Sequence, residues 1–317
     1  MTNIFSPLIV KDKEFRNRVV VPPMARGLAT EGGTPTQKTL SHYDEISKDV
    51  ALTIVEHSYI SKKGKYSQNQ LGIHSDRLID KHKQISQKIN QNNSLSCLQI
   101  NHSGNRKTKE MKKQIDKVLD VNSLNQKEIE EIKRGFVKAA SRAKKAGYDA
   151  LEIHGAHGFL LNSFLSPKSN KREDKYGGSL ENRLKFPLDV VDRVNKKIDD
   201  LLLLFRLGAT DRDPEGMKKE EAAKIAKKLE KNEVDILDIS GGLCGSRPES
   251  IQQKQGYFVP VASYIKDRIN IPVIGVGGIK DPQVANEFIK KEKIDLVAIG
   301  RELLKNPKWV KEAKKRL

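Results

Sequence analysis

Two turns near the C-terminal end of this 317-residue chain have the make-up of an anion site. Gly277 and Gly278 close the run "VIGVGG", and Gly300 with Arg301 closes "DLVAIGR". A glycine pair lets backbone N–H groups approach an anion with no Cβ in the way, and an arginine at a helix start adds a cation of fixed geometry. Singly, each reads equally well as a tight turn or a surface cap. At the ends of the last two strands of a series, they would converge on one phosphate. His154 and His157, in "HGAH", lie three residues apart just past another apolar run. Two imidazoles so placed can donate hydrogen bonds to one substrate oxygen, polarising a carbonyl or binding a phenolate. With His57 and His102 they also raise a metal-dependent hydrolase. The HxH pair and matched carboxylates of metallohydrolase barrels are absent, so no metal ligand is expected.

Gln99 and Arg206 occupy equivalent positions at the ends of other apolar runs. A neutral amide matches the donor and acceptor edge of a flavin ring, and an arginine near its pyrimidine end would stabilise negative charge on the reduced ring. A buried arginine needs an anion, so Arg206 could instead pair with a structural carboxylate such as Asp238 or Glu152. Pro23 and Met24 follow the first run, His57 the second, and Ser240 to Gly242 the sixth. His102 follows the third, where a structural role in the loop is as good a reading as ligand contact.

The elements that must present these residues are eight short, often β-branched runs: "RVVVPPM", "ALTIVEHS", "SCLQINHS", "DALEIHGAH", "LLLLFRLGA", "VDILDISGG", "IPVIGVGG" and "DLVAIGREL". Amphipathic stretches separate them, the pattern of buried parallel strands covered by helices. One such stretch puts Ile129, Ile132, Phe136, Ala139, Ala140 and Ala143 on a single face before Gly147. The expected fold is a (β/α)8 TIM barrel, residues 1–317 forming one domain, with ligand residues at the C-terminal strand ends. Residues 4 to 17 read as a hairpin closing the barrel floor. Two connections, 101–125 and 155–185, exceed what a minimal β/α unit needs, and such loops serve substrate or subunit contacts. Homo-oligomer formation is therefore left open.

No apolar run nears the roughly 18 to 20 residues that span a bilayer, and the N-terminus lacks the features of a secretory signal. A cytoplasmic enzyme with no membrane partner is expected. Cys97 and Cys244 have no CxxC spacing and read as free thiols, without zinc or an iron–sulfur cluster. The net charge of +18 raises nucleic acid as a partner. Its lysines interleave with glutamates, as in "KKEEAAKIAKKLEKNE", and no nucleic-acid module accompanies them, so a solvated surface is expected.

With these residues in place, the chain resembles the Old Yellow Enzyme family of NAD(P)H:flavin oxidoreductases over essentially its whole length. The resemblance rests on "FSPL", "NRVVVPPM", "QINHSG", the long "EIHGAHGFLLNSFLSPKSNKREDKYGGSLENRLKF", "VIGVGGI" and "AIGRELLKNP", in that order. It implies a noncovalent FMN across the barrel mouth, reduced by NADH or NADPH and reoxidised by a small-molecule substrate such as an α,β-unsaturated carbonyl. By the same resemblance Pro23, Met24 and Ala25 meet the flavin, Gln99 and Arg206 its pyrimidine side, and Gly278, Gly300 and Arg301 its phosphate, while His154 and His157 grip the substrate oxygen. There are departures. Phe159 stands where many relatives carry a proton-donating tyrosine, Ala25 where one subgroup has a redox-tuning cysteine, and His57 where many have a small residue. Phenylalanine has no proton to give, so enone reduction would draw on water or another donor, unless the reaction itself differs.

Overall fold

The computed structural model describes residues 2–113 and 119–317. Two antiparallel strands come first, β1 (Leu8–Val10) and β2 (Lys13–Phe15), paired Leu8 to Phe15. Eight parallel strands follow: β3 (Val19–Val21), β4 (Leu52–Tyr59), β5 (Leu95–Asn101), β6 (Ala150–Gly155), β7 (Leu202–Gly208), β8 (Ile236–Ser240), β9 (Val273–Gly275) and β10 (Leu296–Ala298). They close on themselves, β10 pairing with both β9 and β3. Each coincides with one of the eight apolar runs, β4 and β5 overreaching theirs by one residue, and several runs continue past the strand into its loop.

The period-two alternation of a strand sorts these residues into two cores. Val20, Leu52, Ile54, Cys97, Ala150, Leu202, Leu204, Ile236, Ile274 and Leu296 face the barrel axis, and Val10 and Phe15 of the hairpin join that same cluster. The hairpin thus closes the floor with its own apolar face. The alternate residues, including Val19, Val21, Leu98, Ile153 and Phe205, pack outward against the helices. The helix Gln126–Lys145 buries all six residues of its predicted face. It starts on an Asn125 capping box and gives way at Gly147, whose φ is +72°.

The 155–185 connection holds a short helix, Leu160–Leu165, before the covering helix Leu180–Asn195. Of the 101–125 connection, residues 114–118 lie outside the described residues. A third long connection, absent from the sequence reading, runs from the end of β8 to the helix Val259–Lys266. Among the described residues no helix is long and apolar enough to cross a membrane.

Candidate active site

Alternation that puts apolar side chains in the barrel interior lower down puts polar ones at its mouth. On β5, Cys97 is followed inward by Gln99. On β6, Ala150 gives way to Glu152 and His154; on β7, Leu204 to Arg206; on β8, Ile236 to Asp238 and Ser240. Strand β4 departs from this. Its pairing with β5 shifts between Val55 and Ser58, a bulge-type irregularity. His57 consequently lines the cavity, while the Glu56 carboxylate accepts a hydrogen bond from Arg26 N at 2.9 Å and anchors the loop that carries Pro23, Met24 and Ala25. Burial raises the Glu56 carboxyl to about 7.

The C-terminal mouth opens into a cavity of about 690 Å³. Of the residues singled out in the sequence, Pro23, Met24, Ala25, His57, Gln99, His154, His157, Arg206, Gly278, Gly300 and Arg301 line it. Two expected cofactor contacts do not. Gly242 is folded into its own loop, its N–H donating to Thr210 O at 2.7 Å, and a Cβ there would lie 2.1 Å from Asp211 Oδ1. Gly277, at φ +136°, accepts hydrogen bonds from Gly256 N and Tyr257 N. These two glycines are absent Cβ atoms that permit loop packing, and only Gly278 of the pair reaches the cavity. A Cβ on Gly278 would stand 3.1 Å from the Tyr257 ring and 3.5 Å from Arg301 Nη2, which defines a narrow cradle between a ring and a guanidinium.

His102 is fully buried outside the cavity, accepting at Nδ1 from Gly104 N and packed against Gly64. It holds the loop, and burial lowers its imidazole to about 3. Tyr66, Arg106, Arg247, Tyr257, Lys280 and Lys305 line the cavity without having been foreseen. All but Lys305, which ends the short helix Arg301–Lys305, sit on irregular loops, where no periodicity marks which side chains turn inward.

The paired histidines differ in how they are held. His157 takes φ +59°, a left-handed conformation uncommon for a residue with a Cβ. Three contacts fix it there: its N–H donates to Gly241 O, its Nε2 lies 2.8 Å from Ser240 Oγ, and its carbonyl accepts from Arg106 Nη1. The His154 ring lies 5.1 Å from that of His157 and 4.8 Å from that of Phe159, and its buried Nδ1 has no partner. Both imidazoles are held well below their usual range, His154 by burial and then by His157 and His57, His157 by burial and then by Arg206 and Arg106. His57 falls to about 4, again through burial first. The amide of Gln70 donates to His57 Nδ1 at 2.7 Å, which leaves the proton of the neutral ring on Nε2.

Beneath the mouth, β5 to β8 contribute a sealed polar layer. Gln99 Nε2 donates to Glu152 Oε1 at 2.7 Å, and Arg206 Nε lies 3.4 Å from Asp238 Oδ2. Arg206 therefore both lines the cavity and faces a structural carboxylate. Two carboxyls against one guanidinium leave one negative charge in excess. Burial, and then the proximity of Asp238, raises the Glu152 carboxyl far above its usual range, and burial also raises Asp238. A proton on Glu152 makes the layer neutral and leaves Asp238 as the counter-ion of Arg206.

Fold and site together are those of a parallel β/α barrel whose C-terminal mouth opens on a cavity lined by imidazoles and cations. Comparison with known proteins makes this specific: the model of the NADH:flavin oxidoreductase / NADH oxidase family matches residues 3–317, and the chain belongs to that family. It is a flavin-dependent oxidoreductase using FMN with NADH or NADPH. It is 37% identical to an NADPH dehydrogenase of Clostridium acetobutylicum, over 97% of this chain and 93% of that protein. It is 35% identical to an NADPH dehydrogenase of Geobacillus sp. (strain WCH70), over 100% and 95%. An NADH oxidase of Thermoanaerobacter brockii is 36% identical over 98% of this chain, which spans only 50% of that longer protein. Among solved structures, 2-naphthoyl-CoA reductase in complex with 2-naphthoyl-CoA superposes with a TM-score of 0.91 at 24% identity, covering 99% of this chain and 52% of the other. The Old Yellow Enzyme homologue from Zymomonas mobilis gives 0.84 at 22%, covering 99% and 93%. These two likenesses speak for the barrel fold.

Proposed function

We propose that the chain reduces a small α,β-unsaturated carbonyl compound at the expense of NADH or NADPH, acting in the cytoplasm through one FMN-binding domain, residues 1–317. The observation that carries this is the division of one cavity between an anion cradle on β9 and β10 and a neutral imidazole pair on β6, which lies opposite β10 in the strand order. The residues fit FMN. Gly278, Gly300 and Arg301 offer a phosphate site no Cβ obstructs, Gln99 and Arg206 face the space a pyrimidine edge would take, and Pro23 to Ala25 supply backbone beside it.

FMN, when bound, supplies two-electron transfer from the nicotinamide to the acceptor. The protein's own contribution is placement and charge. Neutral His154 and His157 can donate hydrogen bonds to a carbonyl oxygen without placing fixed positive charge there, and such bonds strengthen as that oxygen gains negative charge. Phe159 packs its ring against His154 and His57, 4.8 and 5.2 Å between centroids, and contributes shape without a proton. The proton for the substrate carbon then comes from water or from another donor in the cavity, where the Tyr66 ring lies 5.3 Å from that of Phe159.

The test is direct. The purified chain should be yellow and release FMN with acid, and anaerobic NADH or NADPH should bleach it. A colourless protein that also fails to take up FMN rejects the proposal. Arg301→Ala should weaken FMN binding by on the order of tenfold to a hundredfold in an equilibrium titration, the range set by one charge-assisted hydrogen bond.

A further inference from the structure

One cation of the cavity has so far served only to hold His157 and to lower the imidazoles beside it. Arg106, on the loop after β5, lies over the Phe159 ring at 5.6 Å from its centroid and spends one N–H on the carbonyl of His157. It is half-buried, and a Cβ on Gly245 would stand 3.8 Å from its Nη2, so the loop after β8 walls it in. No carboxylate among the described residues forms an ion pair with it. The other buried guanidinium of the cavity, Arg206, faces Asp238. The charges of Arg247 and Lys280 come from the loops after β8 and β9, and those of Arg301 and Lys305 from the short helix after β10. Among the described residues Arg106 is thus a positive charge without a carboxylate partner beside the imidazole pair, its Nη1 committed to the His157 carbonyl and its Nη2 in no hydrogen bond.

A guanidinium with one edge fixed and the other facing a cavity is suited to a carboxylate, which it can meet in plane. Resting on the function proposed above, we propose that Arg106 forms an anion subsite, so that the preferred acceptor is an unsaturated ketone or aldehyde bearing a carboxylate. His154 and His157 take the carbonyl oxygen, and Arg106 takes the carboxylate. Overall, NAD(P)H and one proton from water convert the C=C–C=O unit to its saturated ketone or aldehyde, giving NAD(P)+; the carboxylate is unchanged. The arrangement sets specificity against intrinsic reactivity, because a carboxylate withdraws electrons from the alkene less than its ester does.

The test uses the FMN-loaded protein with trans-4-oxo-2-pentenoate and its methyl ester. The acid should be reduced with at least tenfold higher kcat/KM than the ester, mainly through KM. Arg106→Gln should collapse that ratio by roughly tenfold to a hundredfold, and Arg106→Lys should retain part of it. A binding readout guards against a merely structural effect. The non-reacting 4-oxopentanoate and its methyl ester, titrated by the change in flavin absorbance, should show the same preference in Kd and the same loss in Arg106→Gln. Equal kcat/KM for acid and ester, or a ratio unmoved by Arg106→Gln, overturns the subsite alone. Failure of both nucleotides to reduce the bound flavin overturns the function proposed above, and the subsite with it.

Discussion

Phe159 and the carboxyl pair are the residues whose individual chemistry can be read most directly. Phe159 touches His154 and His57 and borders the cavity, so a hydroxyl added at its ring edge would meet the acceptor space. If the lack of a phenol limits protonation, Phe159→Tyr should speed oxidation of the reduced enzyme by a simple cyclic enone on the order of a hundredfold, with no comparable gain in reduction by NAD(P)H. Stopped-flow measurement of the two half-reactions separates these, and an unchanged oxidative rate means that water already suffices. In the layer below, burial raises the Glu152 carboxyl and so favours its neutral form, to which Glu152→Gln is nearly isosteric and isoelectronic. It should cost about 1 kcal/mol or less in denaturant unfolding. Asp238→Asn removes the counter-ion of a buried guanidinium and should cost about 3–5 kcal/mol. Equal large losses for the two would show that Glu152 carries the charge as much as Asp238.

The glycine turn after β9 shows how a connecting segment can govern the site without touching a ligand. Gly277 sits at φ +136°, and a Cβ there would lie 2.6 Å from Tyr257 N and 2.9 Å from Phe258 N. Its carbonyl takes the two N–H groups that dock Gly256 and Tyr257. Gly277→Ala should therefore displace Tyr257 from the wall of the phosphate cradle. The expected result is a loss of roughly 1–3 kcal/mol in unfolding free energy together with weaker FMN binding. Stability lost with FMN affinity intact would mean that Tyr257 does not shape the cradle. The bulge in β4 is a second such device. By alternation from Leu52 and Ile54 the next inward side chain would be Glu56, yet the shifted register brings His57 to the cavity and leaves Glu56 to tie down the Met24 loop.

For the molecule as a whole, the number of buried neutral histidines decides how folding responds to acid. His57 and His82 are lowered to about 4 and His102 to about 3, all by burial first. Their folded values lie below the unfolded one, near 6.5, so the unfolded chain takes up protons first as pH falls. Each histidine is neutral in both states at pH 8 and costs nothing there; between about 6.5 and 4 each subtracts up to about 1.4 kcal/mol per pH unit. Glu56, raised by burial to about 7, has the opposite sign, since its folded form holds a proton longer than the unfolded one and stability rises as pH falls from 7 toward 4.5. Glu152 and Asp238, also raised by burial, share that sign, but all seven histidines of the chain are lowered and outnumber the three carboxyls. Unfolding free energy should accordingly fall from pH 7 to pH 5, and His82→Gln, remote from the cavity, should flatten the slope. A slope unaffected by that substitution would place the acid sensitivity elsewhere.

Eight buried runs in alternation with amphipathic stretches fit the strand count of a closed barrel covered on both faces, and the period of two placed Gln99, His154 and Arg206 inward. Those features depend on local pattern, which a sequence carries in full. The glycine pair was legible only in part, because an absent Cβ looks the same whether it faces a cavity, as at Gly278, or a neighbouring loop, as at Gly277 and Gly242. Arg106, Tyr257 and Gln70 were not legible at all: they reach the site from irregular segments far apart in the chain. Their direction is fixed by what packs behind them, and that is decided only when the barrel closes and brings the ends of β4, β5 and β8 to one mouth. The protonation of Glu152 belongs to the same class, since it follows from a dielectric and a charge count that exist only in the folded interior.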